Sequence, residues 1–263
     1  MKRQLWLVLN SLIVLACLLA IWQFAVLVLH VPAYMLPGPV AVGAAVINRF
    51  PSLVQSLFLT SEAAAIGLAG SIAVGVSVAL IFAQWRLLRR LLFPYTILLQ
   101  TVPIVAIAPL ILMWAGNGVL SVALVAFIIC LAPIIANTTQ GLISVDENLI
   151  HLFLMHKATP AQILFKLRLP SAMPNLFVGI RISAGISVIG AITGELFAGS
   201  SRVGQGGLGY SILYASSQLE TDYLFALVFA ATLLGFLFFF IGMFLEWYFL
   251  HNWHESNRSD VPE

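Results

Sequence analysis

The chain has 263 residues, 61% of them hydrophobic and only 8% charged, with a formal net charge of +2. An ordinary water-soluble domain carries about 25% charged residues, so this composition excludes one. Long apolar runs without a ten-residue alternation also exclude a transmembrane barrel, and the expected fold class is an all-α membrane protein, because a backbone in hydrocarbon must satisfy its own hydrogen bonds.

At about 20 apolar residues per crossing, the sequence predicts one membrane domain over 1–263 with six spans, at about 5–29, 57–83, 94–115, 119–138, 175–198 and 223–250. The first run follows Met1-Lys2-Arg3 as in a signal peptide, but it is too long and lacks a small-residue cleavage site, so a retained helix is expected. Cys17 and Cys130 fall inside apolar runs and read as small buried hydrophobes rather than a disulfide or metal pair. Pro37-Gly38-Pro39 introduces a short segment, 40–50, that ends at Pro51 and is expected to lie on the membrane surface. In the second span Gly67, Ser71 and Gly75 recur every four residues, and close helix packing is expected there. Pro94, Pro103 and Pro109 should kink or break the third span. Gly190 and Gly194 in the fifth span form a second close-packing pair, within one chain or between two. The segment 200–222 opens with glycines and turns amphipathic.

Six crossings place both termini on one side, and the basic residues say which. With the termini inside, the cytoplasmic segments own nine bases, Lys2, Arg3, Arg86, Arg89, Arg90, Lys157, Lys166, Arg168 and Arg258, against two outside, Arg49 and Arg202. Arg181 is left within a span. Both termini are therefore expected in the cytoplasm.

Between spans four and five lies a charged, proline-bracketed stretch, HKATPAQILFKLRLPSAMP (156–174). Thr159-Pro160-Ala161-Gln162 has the form of a capping box, with Pro160 at the first helical position and Gln162 reaching back. Leu169-Pro170 is expected to stop that helix, since proline disfavours helical geometry in the residue before it. Ser144-Val145-Asp146-Glu147 reads as a second capping box, starting a short helix that runs to about Lys157. The result is a helical elbow over 144–170. At 100° per residue Ile163, Leu164 and Leu167 share one side, Phe165 and Leu169 lie nearly opposite, and Lys166 and Arg168 mark the borders. Two apolar stripes suggest one surface against the protein's own spans and another against a partner.

The elbow resembles the cytoplasmic coupling loop of ABC importer permeases. Leu169-Pro170 followed by Ser171-Ala172-Met173-Pro174 matches the loop's ending, while His151-Leu152-Phe153 stands where the family has Glu-Ala-Ala and Lys157 replaces its glycine. Further resemblance lies in Leu36-Pro37-Gly38-Pro39 with Val42, Gly141 to Asp146, Gly179 to Ser183, Glu195-Leu196-Phe197-Ala198-Gly199, Gly207-Leu208-Gly209-Tyr210 and Leu245-Glu246. In this order they are most similar to the binding-protein-dependent branch that imports nitrate, sulfonates, taurine, bicarbonate and thiamine-precursor pyrimidines. The resemblance implies the type I importer permease fold in a bacterial inner membrane. It implies a homodimer of permeases, two copies of an ATPase subunit docked at the coupling helices, and an external solute-binding protein. Beyond membrane lipid no other partner class is expected, and no nucleic acid.

The three lysines lack a phosphate-loop context, so ATP and Mg are expected on the partner ATPase and no cofactor or metal on this chain. No catalytic motif is present, and the chain reads as a transport subunit rather than an enzyme. Ionisable groups within spans mark function by default. Glu62 and Glu195 are candidates for the translocation pathway, whereas Arg181 with Glu246, like Gly190 and Gly194, reads as structural. Gln100 and Thr101 beside Pro103 offer hydrogen bonds to a solute at a broken helix. The run Gln100 to Leu110 and the start Thr60-Ser61-Glu62-Ala63 look more like the pyrimidine-precursor and riboflavin branch than the nitrate branch. A rival reading, a proton-coupled secondary transporter, would use Glu62 and Glu195 as a relay.

Overall fold

The computed structural model describes residues 2–199 and 206–251; the basic residues Arg202 and Arg258 lie outside the described residues. Among the described residues every regular element is helical. Four helices are long and apolar enough to cross a membrane: α3 (Phe50–Gln84), α6 (Val119–Ile143), α9 (Leu169–Ala198, continuous with the short helix before it) and α11 (Thr221–Leu250). A fifth crossing is available if α4 (Arg86–Thr101) and α5 (Ile104–Ala115) count together. The first helix, α1 (Lys2–Val28), contributes an apolar stretch over Ala16–Val28. The short helices are α2 (Pro39–Asn48), α7 (Glu147–Met155), α8 (Pro160–Ile163) and α10 (Leu208–Ser217).

The core is α6 with α3 on one side and α9 on another, and small residues set those contacts. A Cβ on Gly67 would meet the Ala123 carbonyl and the Ala126 side chain, and one on Gly75 would meet Ile134. Between them Ser71 donates to the Phe127 carbonyl at 2.8 Å. Gly190 lies against the Ala126 backbone and Gly194 against Val122, so this pair serves packing within the chain. Lower on the same seam the Ser183 hydroxyl donates to the Cys130 carbonyl at 3.1 Å, and the Cys130 thiol returns a bond to the Ser183 carbonyl. Close backbone approach and bonds across helices are what hold helices together where lipid removes the hydrophobic drive. Cys130 is buried as expected, whereas Cys17 is exposed on α1. That helix touches the rest mainly through α2 and through Trp22 against Phe225 and Phe229 of α11.

Several boundaries depart from the sequence reading. Pro51 opens α3 instead of closing the surface segment, since a proline in the first turn loses no hydrogen bond. The third span is two helices meeting at 100°. Pro94 and Pro109 sit inside α4 and α5, and only Pro103, with extended backbone at Val102 and Pro103, makes the break. Span five begins well before residue 175.

Candidate functional site: the elbow and the glycine knot

At one end of the bundle the elbow forms largely as its caps dictate. Asp146, not Ser144, is the cap of α7: its carboxylate accepts from the Asn148 amide at 2.8 Å, while the Ser144 amide still closes α6 by donating to the Gln140 carbonyl. The helix ends in a Schellman turn. The Ala158 amide donates to the Phe153 carbonyl, the Lys157 amide to that of Leu154, and Lys157 takes φ 54°. The coupling loop that this elbow resembles carries glycine at this position, and a left-handed backbone is what glycine accommodates best. Thr159 and Gln162 then complete both bonds of the capping box, at 3.3 and 2.8 Å.

Leu169-Pro170 does not stop the helix. Leu164–Arg168 widens into a π turn in which the Leu169 amide reaches back to the Leu164 carbonyl, and the chain runs on into α9. A π turn holds one extra residue, which makes room for the proline ring where a regular turn would clash. The extra residue also rotates the start of α9 relative to α8. Ile163, Leu164 and Leu167 are buried, Leu164 against Ala79, Ala83, Leu142 and Ala172. Leu169, expected opposite, is half-buried against the same cluster. Phe165 stands out at 59% exposure, with Lys166 also exposed. Arg168 donates to the Ala83 carbonyl at the end of α3, at 2.9 Å. Helix α7 has no buried residue, and Leu149, Leu152, Leu154 and Met155 are all exposed.

At the other end the N-terminus of α10 is tied to α3 and α9. Its N-cap, Gly207, has no side chain to offer, and Glu195 near the end of α9 takes that role. The buried Glu195 carboxylate accepts from the Gly209 amide at 2.8 Å and from the Thr60 hydroxyl at 2.9 Å. The Thr60 oxygen in turn accepts from the Leu208 amide at 2.8 Å. A carboxylate at a helix N-terminus satisfies orphan amides and meets the positive end of the dipole. Ser56, one turn before Thr60, donates to the Gly206 carbonyl at 2.8 Å and lies 2.9 Å from the Ser211 hydroxyl. Glycine is required here, since a Cβ at Gly207 would fall onto the Glu195 carboxylate and one at Gly209 onto the Ile192 carbonyl. A cavity of about 320 Å³ adjoins the knot, with Glu195, Asn117 and Tyr210 in its wall.

The two candidate acids do not come together. Thr60 faces Glu195, and Glu62, two residues on, projects about 200° around α3 and is exposed. Gln100, Thr101 and Pro103 are exposed at the α4–α5 bend, the Thr101 hydroxyl bonded to the Leu98 carbonyl. Arg181 donates to Glu246 at 2.8 Å, joining α9 to α11. At the same end as the knot Arg49 makes two bonds to Glu220, at 2.5 and 2.6 Å, and lies over the Tyr223 ring. The Glu220 carboxylate holds that guanidinium above its ordinary range. The roles of Thr60, Ser56 and Asp146 are not visible in the local sequence; the glycines at 207 and 209 are the signal that something large sits against α10.

Residues 71–250 match the family model described as binding-protein-dependent transport system inner membrane component. The formylaminopyrimidine transport permease protein ThiX of Halalkalibacterium halodurans is 32% identical over 84% of this chain and 86% of its own length. The riboflavin transport system permease protein RibX of Chloroflexus aurantiacus is 34% identical over 79% of this chain and 78% of its own. A solved inward-facing MetNI methionine ABC transporter has the same fold, with a TM-score of 0.61 at 22% identity, over 76% of this chain and 96% of that one. The chain therefore belongs to the binding-protein-dependent inner membrane components, the multi-pass permease subunits of ABC importers, which work with an ATPase and a solute-binding protein.

Proposed function

We propose that this permease forms a homodimer that moves a small solute inward when two separate ATPase subunits close on its elbows, with an external binding protein delivering the solute. The observation that carries the reading is the two-sided elbow: Leu164 and Leu167 are buried in the bundle while Phe165 and the leucines of α7 face outward, bare of any covering. Exposed apolar side chains on a well-capped helix beyond the spans call for a partner surface. Arg86, Arg89, Lys157, Lys166 and Arg168 lie at that same end, which favours a cytoplasmic elbow; with α1 taken as a sixth span of the one domain, both termini lie inside as well.

For the pathway, Glu62 is exposed on a face of α3 that also carries Gln55 and Ser77. An acid against lipid is costly, so this face belongs against a second copy or against water between two copies. Glu195 sits in the knot that closes the outer end and acts as part of an outer gate. Gln100 and Thr101 at the bend supply polar contacts to the solute. Its best-supported class is a pyrimidine thiamine precursor or a riboflavin-like compound, on the likeness of Gln100 to Leu110 and Thr60 to Ala63 to that branch. The exposed acid on α3 disfavours an anion, which ranks nitrate, sulfonate, taurine or bicarbonate second. A proton relay through Glu62 and Glu195 is disfavoured by their placement on opposite sides of α3.

Reconstitution tests this. The chain alone in liposomes should hydrolyse no ATP and move no solute, and ATP-driven uptake of a labelled formylaminopyrimidine should require both the ATPase and the binding protein. Uptake driven by a proton gradient without ATP would contradict the reading.

A further inference from the structure

Between the end of α3, the first turn of α4 and the inner side of the elbow lies a cavity of about 660 Å³, which the outward-facing Phe165 does not line. Its wall carries three arginines, Arg86, Arg89 and Arg168, against one carboxylate, Glu147. Among the described residues none of the three takes part in an ion pair. Arg168 spends one N–H on the Ala83 carbonyl, and its Nε is buried with no partner. Three guanidinium groups lining one cavity repel one another, and a buried N–H left unpaired is costly. An anion with several acceptor oxygens offsets that repulsion, and a phosphate fits guanidinium geometry.

We propose that this cavity binds the phosphate of an anionic phospholipid from the adjacent leaflet. Helix α4 supplies the argument for a lipid over a free phosphate. Its first turns interleave Arg86, Arg89 and Arg90 with the exposed pairs Leu87/Leu91 and Leu88/Leu92, and Trp85 stands half exposed at the junction. Bases, leucines and a tryptophan on one short amphipathic helix are what an interfacial anchor requires. A headgroup in the cavity brings its acyl chains against those leucines, whereas inorganic phosphate leaves them bare. The inference rests on the membrane location alone and not on the proposed solute or the coupling role.

The test uses the full chain purified in mild detergent, offered equal amounts of phosphatidylglycerol and phosphatidylcholine and weighed by native mass spectrometry. The parent should retain phosphatidylglycerol in preference. In R86Q/R89Q that preference should fall by roughly fivefold per arginine removed. R90Q, on the same helix but outside the cavity, should keep the preference, as should the parent challenged with excess inorganic phosphate. Equal retention of the two lipids by the parent, or an unchanged preference in R86Q/R89Q, overturns the proposal. Displacement by inorganic phosphate would make the occupant a free anion and overturn the lipid assignment. An R86Q/R89Q chain that keeps its lipid but loses its ATPase subunit would assign the arginines to an acidic protein surface instead.

Discussion

The two ends of the bundle are built on opposite terms. At the end opposite the elbow the polar groups of α3, α9 and α10 meet one another: Ser56, Thr60 and Glu195 are buried, and each bonds to the glycine-rich start of α10 or to the serine within it. At the elbow end the backbone is as well capped, yet the side chains of α7 and Phe165 make no such closure. A segment closed by its own chain should fail by unfolding when altered. A segment left open should fail by losing a partner, with the fold intact.

The largest effects should come from the closed end. Gly209→Val puts side-chain atoms into the Ile192 carbonyl and the Glu195 Cβ, and backbone cannot yield as a flexible side chain can. Overpacking of this kind costs about 1–3 kcal/mol and more against backbone, so membrane yield and thermal stability should both drop. Glu195→Leu comes next, because it leaves the buried Gly209 amide without its acceptor at about 1–3 kcal/mol, while the Thr60 hydroxyl falls back on the Ser56 carbonyl. Glu195→Gln keeps one acceptor oxygen and should fall between leucine and the parent in a detergent thermal melt. If Glu195→Leu melts with the parent, the knot is not what closes this end.

Much of this contrast is legible in the sequence, and the failures have physical causes. The Thr159 box involves neighbours only, so its four residues contain the answer. Ser144 and Asp146 are both good caps two residues apart, and the choice between them is made by how far α6 runs, a property of its packing on α9. Leu169-Pro170 obeys a local rule that the fold overrides, since burial of Leu164 and Leu167 holds the helix together while a π turn absorbs the ring. Three prolines in one span look alike in sequence, and only Pro103 lacks a helical neighbour before it. Glu195 is legible as an intramembrane acid, but its partners lie 14 and 135 residues away.

Two further substitutions should act weakly. Lys157→Gly relieves a left-handed backbone, worth on the order of 1 kcal/mol, and should leave ATP-coupled uptake unimpaired or slightly raise the melting temperature. A loss of stability would mean that Lys157 contributes through its charge. Smallest should be Glu220→Gln, which weakens an exposed ion pair with Arg49 and should shift stability by under about 1 kcal/mol, less at high salt.

If one segment holds the bundle with one face and an ATPase with the other, two adjacent residues must fail in different ways when altered. Leu164 is 3% exposed and Phe165 59% exposed. Leu164→Asp buries an unpaired carboxylate at a cost of several kcal/mol, and the permease should be lost from the membrane. Phe165→Asp should leave the permease at parental yield and melting temperature while the ATPase subunit no longer co-purifies with it, or hydrolyses ATP without solute uptake. A Phe165→Asp chain that retains its ATPase and transports like the parent would show that this face does not meet the ATPase.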